Sequence, residues 1–426
     1  MKRIVILGGG FAGIAVARRL ERLLRPDEAE ITLISRENFS LFTPMVPEVA
    51  SGALDVRQIA TPIRSQLRHA RFLLAEFTAL DPAAREVAFT YVLSGESASI
   101  GYDHLVLALG SSTSTFGLPG VEEHAYPLKT LEDAGSLRNR VMWLLERADA
   151  TSDAAARERL LTIAVVGGGF TGVETAGELV DLLRSVVRYY PNIAPQRPRV
   201  VLVEGGPTLL PGLPAKMGLY AAYALAKRGV EIRTGSPVTA ASADALSLKS
   251  GAGIPTATIV WSAGIKPSPA LAAAALPHGK GGAILTGEDM SVAGFPGIWA
   301  LGDAAAIPDG SGGFQPPTAQ HAIREGPLLA ENIVATLRGT PTKAFRFSSL
   351  GMMASLGGRR AVAQLPNDAV ITGFLAWFLW RGYYLARLPG LDRKLRVAFD
   401  WAIDLLFPRD IAVLRVYLDD GARREP

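Results

Sequence analysis

Two stretches of the chain share one order of apolar and glycine positions. A short run rich in β-branched residues leads into a glycine turn, and a helix-like stretch follows. The two copies are Ile4-Val-Ile-Leu-Gly-Gly-Gly-Phe-Ala-Gly13 and Ile163-Ala-Val-Val-Gly-Gly-Gly-Phe-Thr-Gly172. A short, continuous apolar run bounded by a glycine turn is typical of a buried strand in a parallel sheet. The pattern therefore predicts two strand–turn–helix units in one α/β chain.

Similar patterns along the chain predict the remaining elements. Strands are expected at 30–35, 102–110, 200–204, 260–264 and 298–303, and helices at about 14–24 and 318–337. Prolines after Phe39 forbid a continuous helix at the start of the segment that follows. Residues 149–160, rich in Ala, Asp and Arg, are predicted to be an exposed linker. Two apolar stretches near the C-terminus, 374–388 and 393–407, are predicted to be amphipathic helices.

This order predicts an α/β protein with two Rossmann-like dinucleotide-binding domains, the second inserted in the first, and a C-terminal amphipathic helical region. The first domain is expected at 1–135 and again at 266–340, because the strand at 298–303 returns to it. The second domain is expected at 160–265, and the C-terminal region at 341–426. A length of 426 residues is enough for such domains to have their own cores.

Both glycine turns satisfy the pattern G-x-G-x-x-G. Its glycines are Gly8, Gly10 and Gly13 in the first unit and Gly167, Gly169 and Gly172 in the second. The first glycine allows a tight turn, the second lets a pyrophosphate approach the backbone, and the third lets helix pack on strand. The helix N-terminus then holds the phosphates. Two dinucleotides in one chain indicate electron transfer between a flavin and a nicotinamide.

Composition excludes several classes of protein. The absence of cysteine rules out disulfides, a redox-active cysteine pair and cysteine-ligated metal centres. A net charge of +4, without a recognisable binding motif, gives no reason to expect a nucleic-acid partner. We predict no metal site. The first strand begins by residue 3, so no signal peptide is expected before it, and no apolar run is long enough to predict a spanning helix.

Five motifs together resemble type II NADH dehydrogenases, single-chain flavoproteins that reduce quinone without pumping protons. They are Leu7–Gly13, Val166–Glu174, Val260–Gly264, Ala300–Asp303 and Pro317–Ala322, and the likeness covers roughly residues 1–365. The resemblance implies FAD in the first unit, NADH as substrate in the second, and a membrane quinone on the opposite face of the flavin. The chain departs from many members at one position, where Arg324 stands in place of a second glutamine.

The resemblance assigns roles to individual residues. Asp303 is expected to accept hydrogen bonds from the flavin ribityl hydroxyls. The helix opening at Thr318 is expected to direct its positive end at the flavin pyrimidine, with Gln320 on the quinone side. His321 is expected to be an exposed or packing residue. The other candidate cofactor contacts are Phe11, Ala12, Arg36, Thr43, Ala319, Thr171 and Gly264.

Three glutamates are further candidates. Glu204 ends a strand of the second unit, where a carboxylate accepts both adenosine ribose hydroxyls and repels a 2′-phosphate, so NADH is preferred over NADPH. Glu174 and Gln320 are the two candidate catalytic residues. Glu174 is expected to position the nicotinamide or to relay protons toward the quinone. A structural role in the first helical turn is the alternative for Glu174. Glu48 falls where family members approach the flavin ring, and a surface loop is its alternative.

The apolar C-terminal stretches suggest attachment to a membrane surface. Tryptophans and tyrosines alternate with arginines in 374–388, and Arg387, Arg393, Lys394 and Arg396 form a basic cluster. Such a composition is typical of interfacial helices. We therefore expect a peripheral, monotopic protein at the cytoplasmic face of a membrane. The alternative is an ordinary packing helix or the contact of a homodimer.

Two other functions remain compatible with this sequence. One is a soluble NAD(P)H-dependent flavoprotein reductase that serves a small redox protein, which would have no use for the apolar 374–388 stretch. The other is a FAD- and NADH-binding signalling protein of the apoptosis-inducing type, in which redox turnover is secondary. Rapid quinone-dependent oxidation of NADH would indicate the enzyme and not the signalling protein. Disulfide reductases and sulfide:quinone oxidoreductases are excluded because both need a cysteine pair.

Overall fold

A computed structural model describes residues 1–193 and 197–413. Its helices are α1 (Phe11–Leu23), α2 (Val46–Ala50), α3 (Val121–His124), α4 (Leu131–Ala150), α5 (Ala154–Leu161), α6 (Phe170–Val186), α7 (Ala215–Ala226), α8 (Ala319–Leu337), α9 (Phe374–Arg387) and α10 (Leu391–Leu406). The predicted α/β fold class, with two mainly parallel sheets and C-terminal helices, is confirmed.

Short strands make up the rest of the regular structure. In chain order they are β1 (Lys2–Leu7), β2 (Ala29–Ser35), β3 (Phe39–Leu41), β4 (Ala60–Pro62), β5 (Arg71–Asp81), β6 (Glu86–Tyr91), β7 (Ser97–Gly101), β8 (His104–Leu107), β9 (Ser111–Thr113), β10 (Ala125–Pro127), β11 (Thr162–Val166), β12 (Arg199–Val203), β13 (Val230–Arg233), β14 (Val238–Ala241), β15 (Ala245–Leu248), β16 (Gly253–Pro255), β17 (Thr258–Trp261), β18 (Ile265–Pro267), β19 (Ile284–Leu285), β20 (Ile298–Ala300), β21 (Ala305–Ala306), β22 (Met352–Ser355), β23 (Ala361–Gln364) and β24 (Val370–Gly373).

Contacts divide the chain into two compact units. Unit 1 comprises Met1–Leu41, Ala60–Ser112 and Ile265–Ser349. Its main sheet has the order β20-β8-β1-β2-β5-β6-β7, with the first five strands parallel and the last two added antiparallel. The strand order reverses at β1, so the crevice beyond the carboxyl ends of β1 and β8 is where such a sheet binds a ligand. The first glycine turn lies at that point.

Unit 2 comprises Phe42–Ile59, Thr113–Gly264 and the described part of Leu350–Pro426. Its main sheet is wholly parallel in the order β10-β17-β11-β12-β13. The strand order of this sheet reverses at β11, so β11 corresponds to β1 of the other sheet. The second glycine turn directly follows β11, just as the first directly follows β1. The internal duplication seen in the sequence is therefore a duplication of sheet topology.

Strand burial explains why the apolar runs form these sheets. In β1, Ile4 and Ile6 pack into one core cluster of unit 1, while Val5 and Leu7 pack into another. Successive side chains of a strand point to opposite faces, so a strand covered on both sides must be apolar throughout. Full burial of each such side chain stabilises the fold by roughly 1.5–3 kcal/mol.

The expected linker at 149–160 is wrong. Helix α4 continues to Ala150, and α5 begins at Ala154, where the Asp153 side chain accepts a hydrogen bond from the Ala155 N–H at 3.0 Å. The end of α5 buries Leu160 and Leu161. Alanine, arginine, glutamate and leucine are strong helix formers, so a segment that reads as polar linker folds as a helix once its aspartate caps it.

The compact units depart from the expected domain bounds in two places. Residues 42–59 and 113–135 belong to unit 2, because α2 packs on α4 and α6, and β10 pairs with β17. The C-terminal region, expected at 341–426 and expected to be helical, also contains the antiparallel sheet β22-β23-β24. Its residues 341–349 belong to unit 1, and the rest of its described part belongs to unit 2. The last thirteen residues of that expected region, 414–426, lie outside the described residues.

Candidate functional site

The first glycine turn has the geometry that a pyrophosphate needs. Gly8 has φ +112°, and a Cβ there would collide with the Ala108 carbonyl. A Cβ on Gly13 would collide with the Gly8 carbonyl, so helix and turn touch without intervening side chains. A Cβ on Gly10, in contrast, would meet no protein atom within 4 Å. Gly10 is also the N-cap of α1, so this open space lies at the N-terminus of that helix.

The second glycine turn repeats this geometry in unit 2. Gly167 has φ +109°, a Cβ on Gly172 would collide with the Gly167 carbonyl, and a Cβ on Gly169 would meet nothing within 4 Å. Gly169 is the N-cap of α6, again without a side-chain cap. Thr171, in the first turn, accepts a hydrogen bond at its carbonyl from the Thr175 hydroxyl at 2.6 Å. Two turns of one chain thus share one geometry, with open space at a helix N-terminus.

Glu204 lies directly after β12, beside the second turn. Its carboxylate accepts hydrogen bonds from the Gly168 N–H at 2.5 Å and from the Gly206 N–H at 2.6 Å. Both bonds hold the side chain at the carboxyl end of the strand next to β11. This is the position that the sequence predicted for a ribose-binding carboxylate, and the ribose contact itself stays a prediction.

Asp303 lies just beyond β20, in a short 3-10 turn formed by Gly302–Ala304. The turn needs glycine at its first position, because Gly302 has φ +65°. The Ser111 hydroxyl donates to the Asp303 carboxylate at 2.5 Å. Sequence reasoning missed Ser111, although hydroxyl residues directly after an apolar strand, as in Ser111–Thr113, are a usable signal for a polar site.

The start of α8 is closed by local hydrogen bonds. The Thr318 side chain is the N-cap and accepts from the His321 N–H, while its hydroxyl lies 2.7 Å from His321 Nδ1. Arg324 donates to the Gln320 carbonyl at 2.8 Å, and its guanidinium lies 4.3 Å from the centre of the Phe347 ring. His321 is buried and packs edge-on to the same ring. Arg324, where the family pattern has glutamine, thus supports the first turn of α8.

Glu174 is buried on α6 and paired with the C-terminal region. Its Oε1 accepts from the Ser355 N–H and from Trp380 Nε1, both at 3.0 Å. Burial raises the pKa of this carboxyl to about 8, against the lowering effect of those two hydrogen bonds. Burial therefore favours the protonated form of Glu174 near neutral pH. Its predicted role toward a nicotinamide or a quinone stays a prediction.

Glu48 and Glu178 belong to a second buried group in unit 2. Glu48 is not in a surface loop: it is buried in α2, and Trp401 Nε1 donates to its Oε1 at 3.0 Å. Burial, and then the nearby Glu178 carboxylate, raise the pKa of Glu48 to about 8. Arg409 bonds Glu178 at 3.0 Å and Asp404 at 2.8 Å. Sequence reasoning missed Glu178 and Arg409, and no local signal marks them, since they are 231 residues apart.

The predicted site residues fall into both units. Unit 1 holds Gly8, Gly10, Phe11, Ala12, Gly13, Arg36, Asp303, Ala319 and Gln320, and unit 2 holds Thr43, Gly167, Gly169, Thr171, Gly172, Glu174, Glu204 and Gly264. Arg36 directly follows β2, and Gly264, with φ +75°, follows β17. Most of these residues therefore follow the carboxyl ends of parallel strands. Within residues 1–193 and 197–413, no group of three or more His, Asp or Glu side chains could hold a metal ion.

None of the helices in the described part of the chain has the length and apolar character needed to cross a membrane.

Comparison with known proteins gives matches along nearly the whole chain. Residues 2–326 match the pyridine nucleotide-disulphide oxidoreductase family, and residues 350–410 match the NDH2 C-terminal domain. The chain is 33% identical to the type II NADH:quinone oxidoreductase Ndh of Mycobacterium tuberculosis, covering 96% of this chain and 89% of that protein. It is also 33% identical to the demethylphylloquinone reductase NdbB of Synechocystis, covering 94% and 95% respectively.

A solved structure shows the same fold. The structure of NDH2 from Plasmodium falciparum in complex with NADH superposes with a TM-score of 0.89, at 21% identity, over 96% of this chain and 99% of that chain. At that identity the likeness establishes the architecture alone. Together, the family matches and the fold cover both glycine turns and the C-terminal helices.

Proposed function

The chain belongs to the type II NADH:quinone oxidoreductases and passes electrons from NADH to a quinone without pumping protons; we propose that it does so through one bound FAD at a membrane surface. The repeated glycine geometry carries this proposal, because Gly10 and Gly169 each leave open space where a pyrophosphate would meet a helix N-terminus. This assignment replaces the two alternative functions, a soluble flavoprotein reductase that serves a small redox protein and a FAD- and NADH-binding signalling protein.

The residues of unit 1 fit FAD. The turn from Gly8 to Gly13 would hold the pyrophosphate, and Asp303 would accept hydrogen bonds from the ribityl hydroxyls. A bound FAD would supply an acceptor for the hydride of NADH and a two-electron donor for the quinone. The N-terminus of α8 carries partial positive charge, which stabilises negative charge placed before it and so would favour the reduced cofactor.

The residues of unit 2 fit NADH. Glu204 is held at the strand end by two backbone N–H groups, so its remaining acceptor capacity would bind the adenosine ribose. A 2′-phosphate at that place would meet the carboxylate and would be repelled. We therefore predict that the protein oxidises NADH more efficiently than NADPH with a water-soluble quinone as acceptor.

Glu204→Gln should narrow this preference by about tenfold, mainly through the KM for NADPH, because it removes the charge that repels the 2′-phosphate. The amide keeps only one of the two oxygens that accept the Gly168 and Gly206 N–H groups, and the loss of the other bond should affect both nucleotides alike. Steady-state rates with both nucleotides, for the wild type and this variant, are the measurement. Glu231→Gln, a change in an exposed ion pair with Arg199, is the control and should leave the preference unchanged. A wild-type preference for NADPH would remove this role from Glu204.

Gln320 is proposed to act on the quinone. It is the second residue of α8, after Ala319, on the helix whose N-terminus would face the cofactor. Gln320→Ala should slow the oxidation of reduced flavin by quinone by about tenfold or more, as expected for the loss of one hydrogen bond to the acceptor, and should leave reduction by NADH nearly intact. Stopped-flow measurement of the two half-reactions separates these effects. An equal loss in both would show instead that the α8 start, and with it the flavin, is disturbed.

Glu174 is proposed to carry a proton or to position the nicotinamide. Quinone reduction by NADH takes up a proton from solution, and a buried carboxyl that is protonated at neutral pH can supply one. The raised pKa of Glu174 supports proton transfer more directly than it supports positioning of the nicotinamide. Its bonds to Ser355 and Trp380 fix one oxygen of the carboxyl.

A membrane surface is proposed as the site of action. Helices α9 and α10 expose ten large apolar side chains, among them Phe378 and Phe399, which are 62% and 66% exposed. Apolar residues that line one side of a helix, next to arginines, favour insertion into the headgroup boundary. We place the protein at the cytoplasmic face. A homodimer built on these helices is the competing use of the same side chains.

A further inference from the structure

Glu325 is a buried carboxyl that the function described so far does not use. It lies in the second turn of α8, only 2% of its surface is exposed, and its Oε2 accepts a hydrogen bond from the Gly302 N–H at 2.7 Å. Among the described residues it makes no ion pair. Burying a carboxyl without a cationic partner is costly, so a side chain kept in this state points to a specific use.

The bonded amide belongs to the turn that presents Asp303. Gly302 opens the 3-10 turn Gly302–Ala304, and a Cβ on Gly302 would lie 3.4 Å from Ala12 Cβ and 3.7 Å from Ala322 Cβ. The turn is therefore wedged between the first turn of α1 and the first turns of α8. The position of the Gly302–Ala304 turn between α1 and α8 therefore sets the position of the Asp303 carboxylate.

Helix α8 cannot shift to compensate for a change at Glu325. The next residue, Gly326, lies against α1 so closely that a Cβ would come 2.5 Å from Ala15 Cβ and 3.0 Å from the Ala12 carbonyl oxygen. Interiors packed this tightly transmit a displacement instead of absorbing it. The hydrogen bond from Gly302 to Glu325 thus links α8, α1 and the Asp303 turn in one rigid arrangement.

We propose that Glu325 is a positioning residue for the flavin: its carboxyl holds the Gly302 amide, fixes the Asp303 turn, and couples FAD affinity to pH through its own proton. This inference rests on the proposed FAD site of unit 1. It assigns Glu325 no contact with the cofactor, since it acts through the turn.

The surroundings of Glu325 set the sign of the pH effect. Burial first, and the nearby Asp303 carboxylate also, raise the pKa of Glu325 to about 7, while the Gly302 hydrogen bond lowers it. On the flanking helices, the Arg324 guanidinium stacks on Phe347 and Arg19 pairs with Glu331 at 2.6 Å, and among the described residues neither arginine forms an ion pair with Glu325.

Bound FAD excludes water and brings two negative phosphates, so it favours the protonated, neutral form of Glu325. By linkage, whatever favours the protonated form binds more tightly where that form is populated. FAD affinity should therefore be highest below about pH 7 and should fall as the pH rises through the pKa.

The test is the dissociation constant of FAD, measured by flavin fluorescence after release and rebinding, at about pH 6 and about pH 9. The wild type should bind several-fold more weakly at the higher pH. Glu325→Gln keeps an acceptor for the Gly302 amide but cannot titrate, so its affinity should be the same at both pH values. Glu325→Ala leaves the buried amide without its acceptor and should bind about tenfold more weakly at both.

Glu288→Gln, in an exposed ion pair with Arg346 elsewhere in unit 1, is the control and should behave as the wild type. A Glu325→Gln protein that keeps the wild-type pH dependence would overturn this inference and leave the FAD site standing. A wild-type protein that binds no FAD would overturn the proposed cofactor itself. If Glu325→Ala does not fold, the Gln variant decides alone, because it conserves the shape of the side chain.

Discussion

A Gly10→Val variant is expected to purify without its flavin, with occupancy falling from about one FAD per chain to less than about a tenth. Gly10 has φ −80° and ψ −168°, an extended backbone that valine adopts readily, and its Cβ would meet no protein atom within 4 Å. The first side-chain carbon of the substitution therefore meets no atom of unit 1 beyond the residues next to it in the chain. It places a branched side chain only where the pyrophosphate must approach the helix N-terminus.

The matched control is Gly169→Val in the second turn, where the backbone and the surrounding space are the same. This protein should keep its flavin and instead show a KM for NADH raised by about tenfold or more. Absorbance at the flavin bands, together with thermal unfolding of both variants, provides the readout. Flavin retained in Gly10→Val, or lost equally from both variants, would remove the assignment of FAD to unit 1 and NADH to unit 2.

The second large effect is expected at the membrane. Replacing Phe378 and Phe399 together by glutamate should move the protein from vesicles into the soluble fraction. Each phenylalanine inserted into the headgroup boundary contributes roughly 1.5–3 kcal/mol, so losing both should weaken partitioning by about a hundredfold or more. Flotation with vesicles that contain anionic lipid is the measurement. Activity with a water-soluble quinone should survive, while activity with a long-chain quinone in vesicles should fall.

Leu93→Glu is the control for this experiment, because Leu93 is 88% exposed but lies in unit 1, outside the helices concerned. It should float as the wild type does. Wild-type protein that stays wholly soluble would contradict the membrane proposal. If the double variant instead changed from dimer to monomer in sedimentation, these helices would be the contact of a homodimer.

Point substitutions are preferable to deletion of the C-terminal helices. Trp380 and Trp401 extend inward from α9 and α10 and donate to the buried carboxyls of Glu174 and Glu48. Arg409 neutralises Glu178 in the same interior. Removing these partners would leave buried polar groups unpaired, at a cost of about 1–3 kcal/mol each and more for a charge. A deletion would therefore test the stability of unit 2 and membrane attachment at once.

Local rules were sufficient for the parts of the site that lie within a few consecutive residues. The positive φ at Gly8 and the close contact at Gly13 are both set by the turn between β1 and α1. The same holds for Glu204, which needs only to end a strand beside a glycine turn. The Thr318 cap at the start of α8 likewise depends on neighbouring residues.

Partners far apart in the chain could not be predicted in this way. Glu48 bonds Trp401 across 353 residues, Glu174 bonds Trp380 across 206, and nothing in their spacing marks them as pairs. The pKa of each carboxyl is raised mainly by burial, which is a property of the assembled unit. The helical state of 154–161 depended in part on the burial of Leu160 and Leu161, which also exists only in the assembled unit.

The sequence alone thus determined the two dinucleotide turns, the strands that carry them, the family and the candidate contacts that follow strand ends. Those features depend on backbone conformation and on periodicity, which consecutive residues set. The tertiary structure alone decided that 42–59 and the C-terminal helices join unit 2, that Glu174 is buried against Trp380, and that Glu325 holds the Asp303 turn. Burial and distant hydrogen bonds exist only after the chain has packed, so no local pattern encodes them.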